Sequence, residues 1–297
     1  MGTDTVIALA GPNLPHDVIT ASQRGAGPLG FDPDRDSPRA RQWLETKFAP
    51  WAPPVLEAWL GGEYDHLDHV LFSRAEDTSQ RLYYYCCELQ RRGLLGGPRP
   101  LIFDIAKIPR PASLDRTVTQ VRELMRFLEV TEDALEEAIV RNNRQRALKA
   151  PETVRPICLL TGTAPPDRRL HSVIAGAGFE PSARTLAEDW VDLGEPVAEG
   201  TGDPARAVGS VLHARGDGPR SFSDPARHLA AEIERRGASA VIHWRIEEDE
   251  AQTWHLPAER RVLEASGLPS LVLTRRDWLC RDGAVDEIGA FLEGVGA

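Results

Sequence analysis

Two stretches written in the same order decide the fold: TVIALAGPNLPHDVITASQ, Thr5 to Gln23, and ICLLTGTAPPDRRLHSVIAGAG, Ile157 to Gly178. Each starts with a short apolar run closed by a glycine, Gly11 or Gly162. Four residues later a proline, Pro15 or Pro166, precedes a helix-like run, and the second copy ends in glycines that suit a helix C-terminus. A buried run, a glycine turn and a helical period read together as strand, turn and helix. The chain therefore carries this unit twice.

The correspondence continues outward. DHVLFSRAED (Asp68 to Asp77) is echoed by SAVIHWRIEED (Ser239 to Asp249), each an apolar run breaking into an acidic pair ahead of a helical pattern. PRPLIFDIAKIPR (Pro98 to Arg110) and LPSLVLTRRDW (Leu268 to Trp278) are buried-strand runs entered through a proline-bearing turn. Strands alternating with helices imply parallel sheets covered by helices. The expectation is an α/β protein of two Rossmann-like lobes with parallel sheets, related as an internal repeat and joined by a helical bridge. The spacing predicts lobes over 1–112 and 151–297, with the bridge at 113–150 split by a new helix start at Thr131 to Ala134. Gly25 to Ala40 reads as loop. Glu195 to Pro225 reads as a long surface connection around one helical run, Ala205 to Ala214.

The length of 297 residues suits two domains. With 35 basic and 45 acidic residues the net charge is -10, which disfavours nucleic acid or an anionic membrane as the main partner, because both require a cationic face. No apolar run approaches the roughly 20 residues of a membrane span, and the start lacks a basic region, so a cytoplasmic protein is expected. Cys86, Cys87, Cys158 and Cys280 show no metal-ligand or disulfide spacing and read as buried thiols.

In open parallel sheets, ligands bind beyond the carboxyl ends of the strands, where helix N-termini favour negative charge. Glu76-Asp77 and Glu248-Asp249 both fall there. Local pattern alone makes Asp77 the cap of the next helix, with Gln80 completing a capping box; the recurrence of the acidic pair in the second half makes both pairs candidates for a facing cleft. His243 and Arg245 share one strand face by the two-residue period and, with His255, are candidates to meet a polar ligand. One tyrosine of the run 83–85 is expected to line the cleft. His66 and His69 read as surface or packing residues, and GPNLP and GTAPP lack the glycine pattern of a phosphate loop.

The order of these features resembles the 2-hydroxyacyl-CoA dehydratase and benzoyl-CoA reductase superfamily, D-component type. The resemblance rests on PHDVITASQ, GEYDHLDHVLFSRAEDTSQRLYYY, LIFDIAKIPR, LMRFLEVTEDALEEAIVRNNRQRAL, LLTGTAPPDRRLHSVIAGAG, ASAVIHWRIEED and ASGLPSLVL, in that order along almost the whole chain. It implies facing α/β lobes and, in many members, an iron-sulfur cluster held by three cysteines and fed electrons by an activator. Here Glu76 stands where the first cysteine is expected, Glu188 and Asp189 lie near the second, and Glu248 and Asp249 near the third. Thiolates are needed to hold such a cluster, so the resemblance implies a degenerate, cluster-free member with no predicted cofactor, a divalent metal on the carboxylates being the alternative.

The resulting expectation is a lyase-like enzyme performing acid-base elimination or addition on a small carboxylate or acyl-thioester between the lobes. Its catalytic residues would be Glu76, Asp77, Glu248 and His243, and its substrate contacts Arg245, His255, Tyr83 and Glu188. The alternative is a non-catalytic subunit or scaffold, paired as a homo- or heterodimer with a homologous chain. A ligand-binding sensor is the third reading.

Overall fold

The computed structural model describes residues 5–148, 153–215 and 222–296. The first lobe runs β1 (Ile7–Ala10), α1 (His16–Ser22), β2 (Gly25–Pro28), α2 (Ala52–Leu60), β3 (His69–Ser73), α3 (Asp77–Arg91) and β4 (Arg99–Phe103). Two long helices follow, α4 (Pro111–Phe127) and α5 (Glu132–Arg146), the second capped by the Thr131 hydroxyl, which accepts from Ala134 N at 3.2 Å. The chain continues with β5 (Ile157–Gly162), α6 (Arg169–Gly176), β6 (Glu180–Ser182), α7 (Leu186–Trp190), α8 (Pro204–Ala214) and α9 (Pro225–Arg236). It then forms β7 (Ala238–Ile246), a 3-10 helix (Glu250–His255), α10 (Leu256–Ser266), β8 (Ser270–Arg276) and α11 (Ala284–Gly296).

Both sheets have four parallel strands in one pattern: β2-β1-β3-β4 and β6-β5-β7-β8. Strand order reverses between β1 and β3, and again between β5 and β7. At such switch points the connecting segments diverge and leave a crevice. The α/β architecture of two Rossmann-like lobes is thus as expected.

Two strands escaped the sequence reading. Gly25–Pro28 is not loop but an edge strand on β1, and β6, with the sequence Glu-Pro-Ser, is its counterpart on β5. An edge strand pairs along one side only and so tolerates glycine and proline, which otherwise argue against strand. The connection around α8 is also more than surface. Pro204, Ala205, Val208 and Leu212 are buried with Val121, Leu135 and Ile139 of the two long helices, in a core under the β1 face carrying Ile7 and Leu9. At Gly209 a Cβ would lie 2.7 Å from the Val118 side chain, so the glycine lets α8 sit directly on α4. Lys149, Ala150 and residues 216–221 of the predicted connections lie outside the described residues.

Strand alternation assigns the sheet faces. Ala8, Ala10, Val70 and Phe72 of the first sheet share one continuous core with Cys158, Leu160, Ile242 and Trp244 of the second. The opposite face of the second sheet, through Leu159 and Val241, lies under α9 and α10. Aromatic side chains join the lobes: Phe31 lies between Trp190 (6.1 Å) and Trp278 (6.4 Å), and Trp51 meets Trp190 edge-on at 5.0 Å. Asp34 of the same loop receives Arg169 and Arg281 of the second lobe, each at 2.7 Å. No helix among the described residues is long and apolar enough to cross a membrane.

Candidate active site between the switch points

At the end of β3 the chain turns through Arg74 and Ala75 into α3. The N-cap is Glu76, not Asp77: Glu76 has extended geometry (φ -130°, ψ 139°), while Asp77 is the first helical residue. The longer glutamate side chain folds back so that Oε1 accepts from Thr78 N at 2.9 Å and Oε2 from Ser79 N at 2.6 Å. A carboxylate at this position answers two orphan amides and the positive end of the helix.

The loop after β1 presses against the same turn. Gly11 has φ +110°, and a Cβ there would lie 2.7 Å from the Ser79 Oγ and 2.8 Å from the Ser73 Cβ. Glycine is required on both counts. Ser79 locks the junction by donating to Ala10 O at 2.7 Å and accepting from Ser73 N at 3.0 Å.

The second lobe repeats this with different chemistry. Gly162 ends β5 at φ +106°, and a Cβ would lie 2.1 Å from the Trp244 carbonyl. The next residue, Thr163, donates its amide to that carbonyl at 2.8 Å, accepts from Ile246 N at 3.3 Å, and gives its hydroxyl proton to Asp249 Oδ2. Asp249 is thereby fixed beyond the end of β7, at the second switch point.

Glu76 and Asp249 lie close enough to interact electrostatically. Burial pushes the Glu76 carboxyl up to about 7, against the two amide hydrogen bonds that lower it, and the charges of Asp77 and Asp249 push it further. Glu76 keeps partial solvent contact although protein surrounds its carboxyl. Asp249 is also raised by burial, while the Thr163 hydrogen bond and the nearby Arg245 charge hold it down.

The remaining predicted residues are not all gathered here. Asp77 is exposed on the first turn of α3, 3.8 Å from Arg81. Glu248 is solvent-exposed; partial burial and then the charges of Asp249, Glu247 and Asp277 raise it, so it belongs to the rim. Tyr83 lies seven residues beyond Glu76, packed 6.2 Å from Phe72 and hydrogen-bonded to Cys87. Glu188 closes a capping box with Thr185 on α7 and pairs with Arg168, a structural assignment. His255 is half-buried where the 3-10 helix passes into α10.

His243 and Arg245 have the parity of Val241, so they point under α10 and not into the shared core. There both meet Glu259, a residue the sequence reading did not single out. Arg245 Nη2 donates to Glu259 Oε1 at 2.6 Å, Arg245 Nε donates to His243 Nε2 at 3.1 Å, and that same Nε2 lies 3.3 Å from Glu259 Oε2. Burial raises the Glu259 carboxyl, but the close approach of His243 and the Arg245 charge outweigh it, leaving the group below its ordinary range.

Other polar residues at the first switch point were equally invisible. Asn13 (φ 59°) and His16 are buried in and just after the β1–α1 loop, and Asn13 Oδ1 and His16 Nε2 make no hydrogen bond. Burial, then the Arg215 charge, holds His16 down to about 4, so its ring is neutral at pH 7. Beside it Asp17 and Arg146 form a buried two-pronged pair at 3.0 and 2.7 Å. Arg146 also donates to the Leu193 carbonyl at 3.1 Å, tying a second-half segment to the first lobe.

The cysteines lie elsewhere. Cys86 is in the first-lobe core, and Cys158 and Cys280 are buried in the second, where burial pushes each of the last two thiols up to about 12. The donors at the two switch points are carboxylates, a hydroxyl, an amide and an imidazole with no thiol among them, a set that does not fit a cluster held by three thiolates. Among the described residues no three His, Cys, Asp or Glu side chains converge as a metal-ligand group. A scan against protein-family models finds no match to this chain, and a search of curated proteins finds none either.

Proposed function

We propose that this chain is an enzyme catalysing acid-base addition or elimination on a small acyl compound bound between the two switch points. It would be a cluster-free relative of the 2-hydroxyacyl-CoA dehydratases. The reading rests on one observation: a lobe-one carboxyl, Glu76, is buried within electrostatic reach of a lobe-two carboxyl, Asp249, and burial brings it near neutrality. A proton-transfer group works best when its pKa lies close to the working pH. Glu76 delivers or accepts the proton, and Asp249, held by Thr163, is the second carboxyl that steadies developing positive charge or takes a second proton.

Charge narrows the substrate. Asp77 and Glu248 add two carboxyls at the rim, so a free carboxylate would enter against four acidic groups. The neutral carbonyl of a thioester or amide avoids that repulsion. Activator-dependent radical chemistry is not part of this reading.

The test is turnover of hydroxyacyl and enoyl thioesters, each beside its free acid, followed by absorbance of the conjugated double bond. The expected result is turnover of thioesters in preference to acids, with Glu76→Gln and Asp249→Asn each slower by about 10²- to 10⁴-fold, the usual contribution of a positioned acid or base. Equal rates for wild type and Glu76→Gln would remove Glu76 from the chemistry. Absence of turnover, with retained binding of a homologous chain, would replace the enzyme by the scaffold.

A further inference from the structure

One nitrogen in this molecule has incompatible neighbours. His243 Nε2 lies 3.1 Å from the Arg245 Nε, a permanent donor, and 3.3 Å from Glu259 Oε2, an acceptor. A nitrogen carrying a lone pair satisfies Arg245 and repels Glu259. One carrying a proton satisfies Glu259 and turns a positive edge to Arg245. Neither arrangement pairs everything: Glu259 Oε2 and His243 Nδ1 are without hydrogen-bond partners, and all three residues are buried.

We propose that His243 is a proton-operated positioning residue, holding Arg245 by accepting from its Nε when Nε2 is bare, and turning to Glu259 when Nε2 is protonated. Proton uptake exchanges one hydrogen bond for another. In the deprotonated state the ring carries its hydrogen on Nδ1 and Arg245 Nε is engaged. In the protonated state Nε2–H donates to Glu259 Oε2, Arg245 keeps its 2.6 Å bond to Oε1, and its Nε is released.

The packing around this exchange is largely apolar, His228 on α9 and His255 at the start of α10 being the other imidazoles of these elements. Val241 shares the face with His243 and Arg245. The register partners on the neighbouring strands are Thr161 and Val272, neither charged. α9 presents Leu229 and Ile233, while its Glu232 is tied to Arg235 and Arg236; α10 presents Leu263 and Glu259. Arg245 also lies within electrostatic reach of Asp249, four residues on. A released Nε is therefore drawn toward Asp249, so proton uptake behind β7 is felt at the cleft. This last link rests on the cleft being the working site; the exchange of partners does not.

The test is heteronuclear NMR of the full chain with ¹⁵N-labelled histidine across pH, His243→Gln assigning the resonance. The expected result is the Nδ1–H tautomer at high pH and an Asp249 amide shift that tracks the His243 titration. Glu259→Gln should move that titration to lower pH and Arg245→Gln to higher pH, each by about one unit or more, since one loses an attractive charge and the other a repulsive one. Arg245→Lys, which keeps the charge without an Nε donor, should lose the tautomer preference, and it serves if Arg245→Gln does not fold. An Nε2–H tautomer at high pH, or shifts of the same sign in Glu259→Gln and Arg245→Gln, would overturn the exchange. An Asp249 shift that persists unchanged in His243→Gln would overturn the link to the cleft and leave the proposed chemistry untouched, because no substrate enters the measurement.

Discussion

Glu76→Gln tests the central electrostatic claim without any substrate. The Glu76 carboxyl is raised from 4.5 to about 7 in the folded chain. Its ionisation therefore opposes folding. The contribution of neutral Glu76 is fully present below pH 4.5 and is lost as pH rises through about 7. A shift of about two and a half units at about 1.4 kcal/mol per unit is about 3.5 kcal/mol, and the partial solvent contact of Glu76 reduces this to about 2 to 3. Glutamine stays neutral and still offers one oxygen to the amides of Thr78 and Ser79. Near pH 4.5 the two proteins should differ by a constant set by the cap alone. From pH 5 to 8 wild type should lose stability relative to Glu76→Gln, by up to about 2 to 3 kcal/mol. Urea unfolding followed by circular dichroism at half-unit pH steps reads this difference directly. A difference that stays flat from pH 5 to 8 would show that Glu76 titrates like an ordinary surface carboxyl, and the acid-base reading would fall with it.

Three further outcomes follow from the same geometry. Arg146→Met leaves Asp17 buried with only Asn142 as donor nearby and should cost about 3 to 5 kcal/mol in urea unfolding; a loss below about 1 kcal/mol would mean the pair is not buried. Gly162→Ala forces a methyl onto the Trp244 carbonyl and should cost more than about 2 kcal/mol or prevent folding, whereas Gly30→Ala, with nothing near its Cβ, should stay within about 0.5. Trp190→Ala should cost about 3 to 5 kcal/mol by opening the inter-lobe aromatic cluster, while Asp34→Asn, which weakens two partly exposed ion pairs, should cost less than about 1 in a thermal melt at moderate salt.

What could be read from sequence was what repeats locally. Six of the eight strands among the described residues, the two long helices and the Thr131 cap follow from apolar runs, glycine turns and helical spacing. The edge strands did not, because Gly25–Pro28 and Glu-Pro-Ser have compositions that only a one-sided ladder accepts. At the site, both acidic pairs were visible and Glu76 was among the expected residues, but which member of each pair turns inward was not. Glu76 caps where the shorter Asp77 was expected, and Asp249 turns inward while Glu248 stays at the rim. A one-residue difference of this kind depends on the dihedral angles of the turn, not on residue type. His243 and Arg245 were correctly placed on one face, but which face the helices cover is a matter of packing, and Glu259 had no local signal at all. The pairing of Asp17 with Arg146 joins residues 129 apart, beyond any periodicity.

Each lobe also lends a segment to the other. The loop carrying Phe31, Asp34 and Trp51 lies on the second sheet's side, and the stretch from Leu193 through α8 lies on the helices of the first. The halves are thus clasped like crossed forearms. A polypeptide divided between the lobes, with each half produced alone, would yield fragments exposing aromatic or aliphatic surface meant for the other. Combined, the same fragments would bind in one orientation and rebuild the cleft between them, so that Glu76 of one piece again lies near Asp249 of the other.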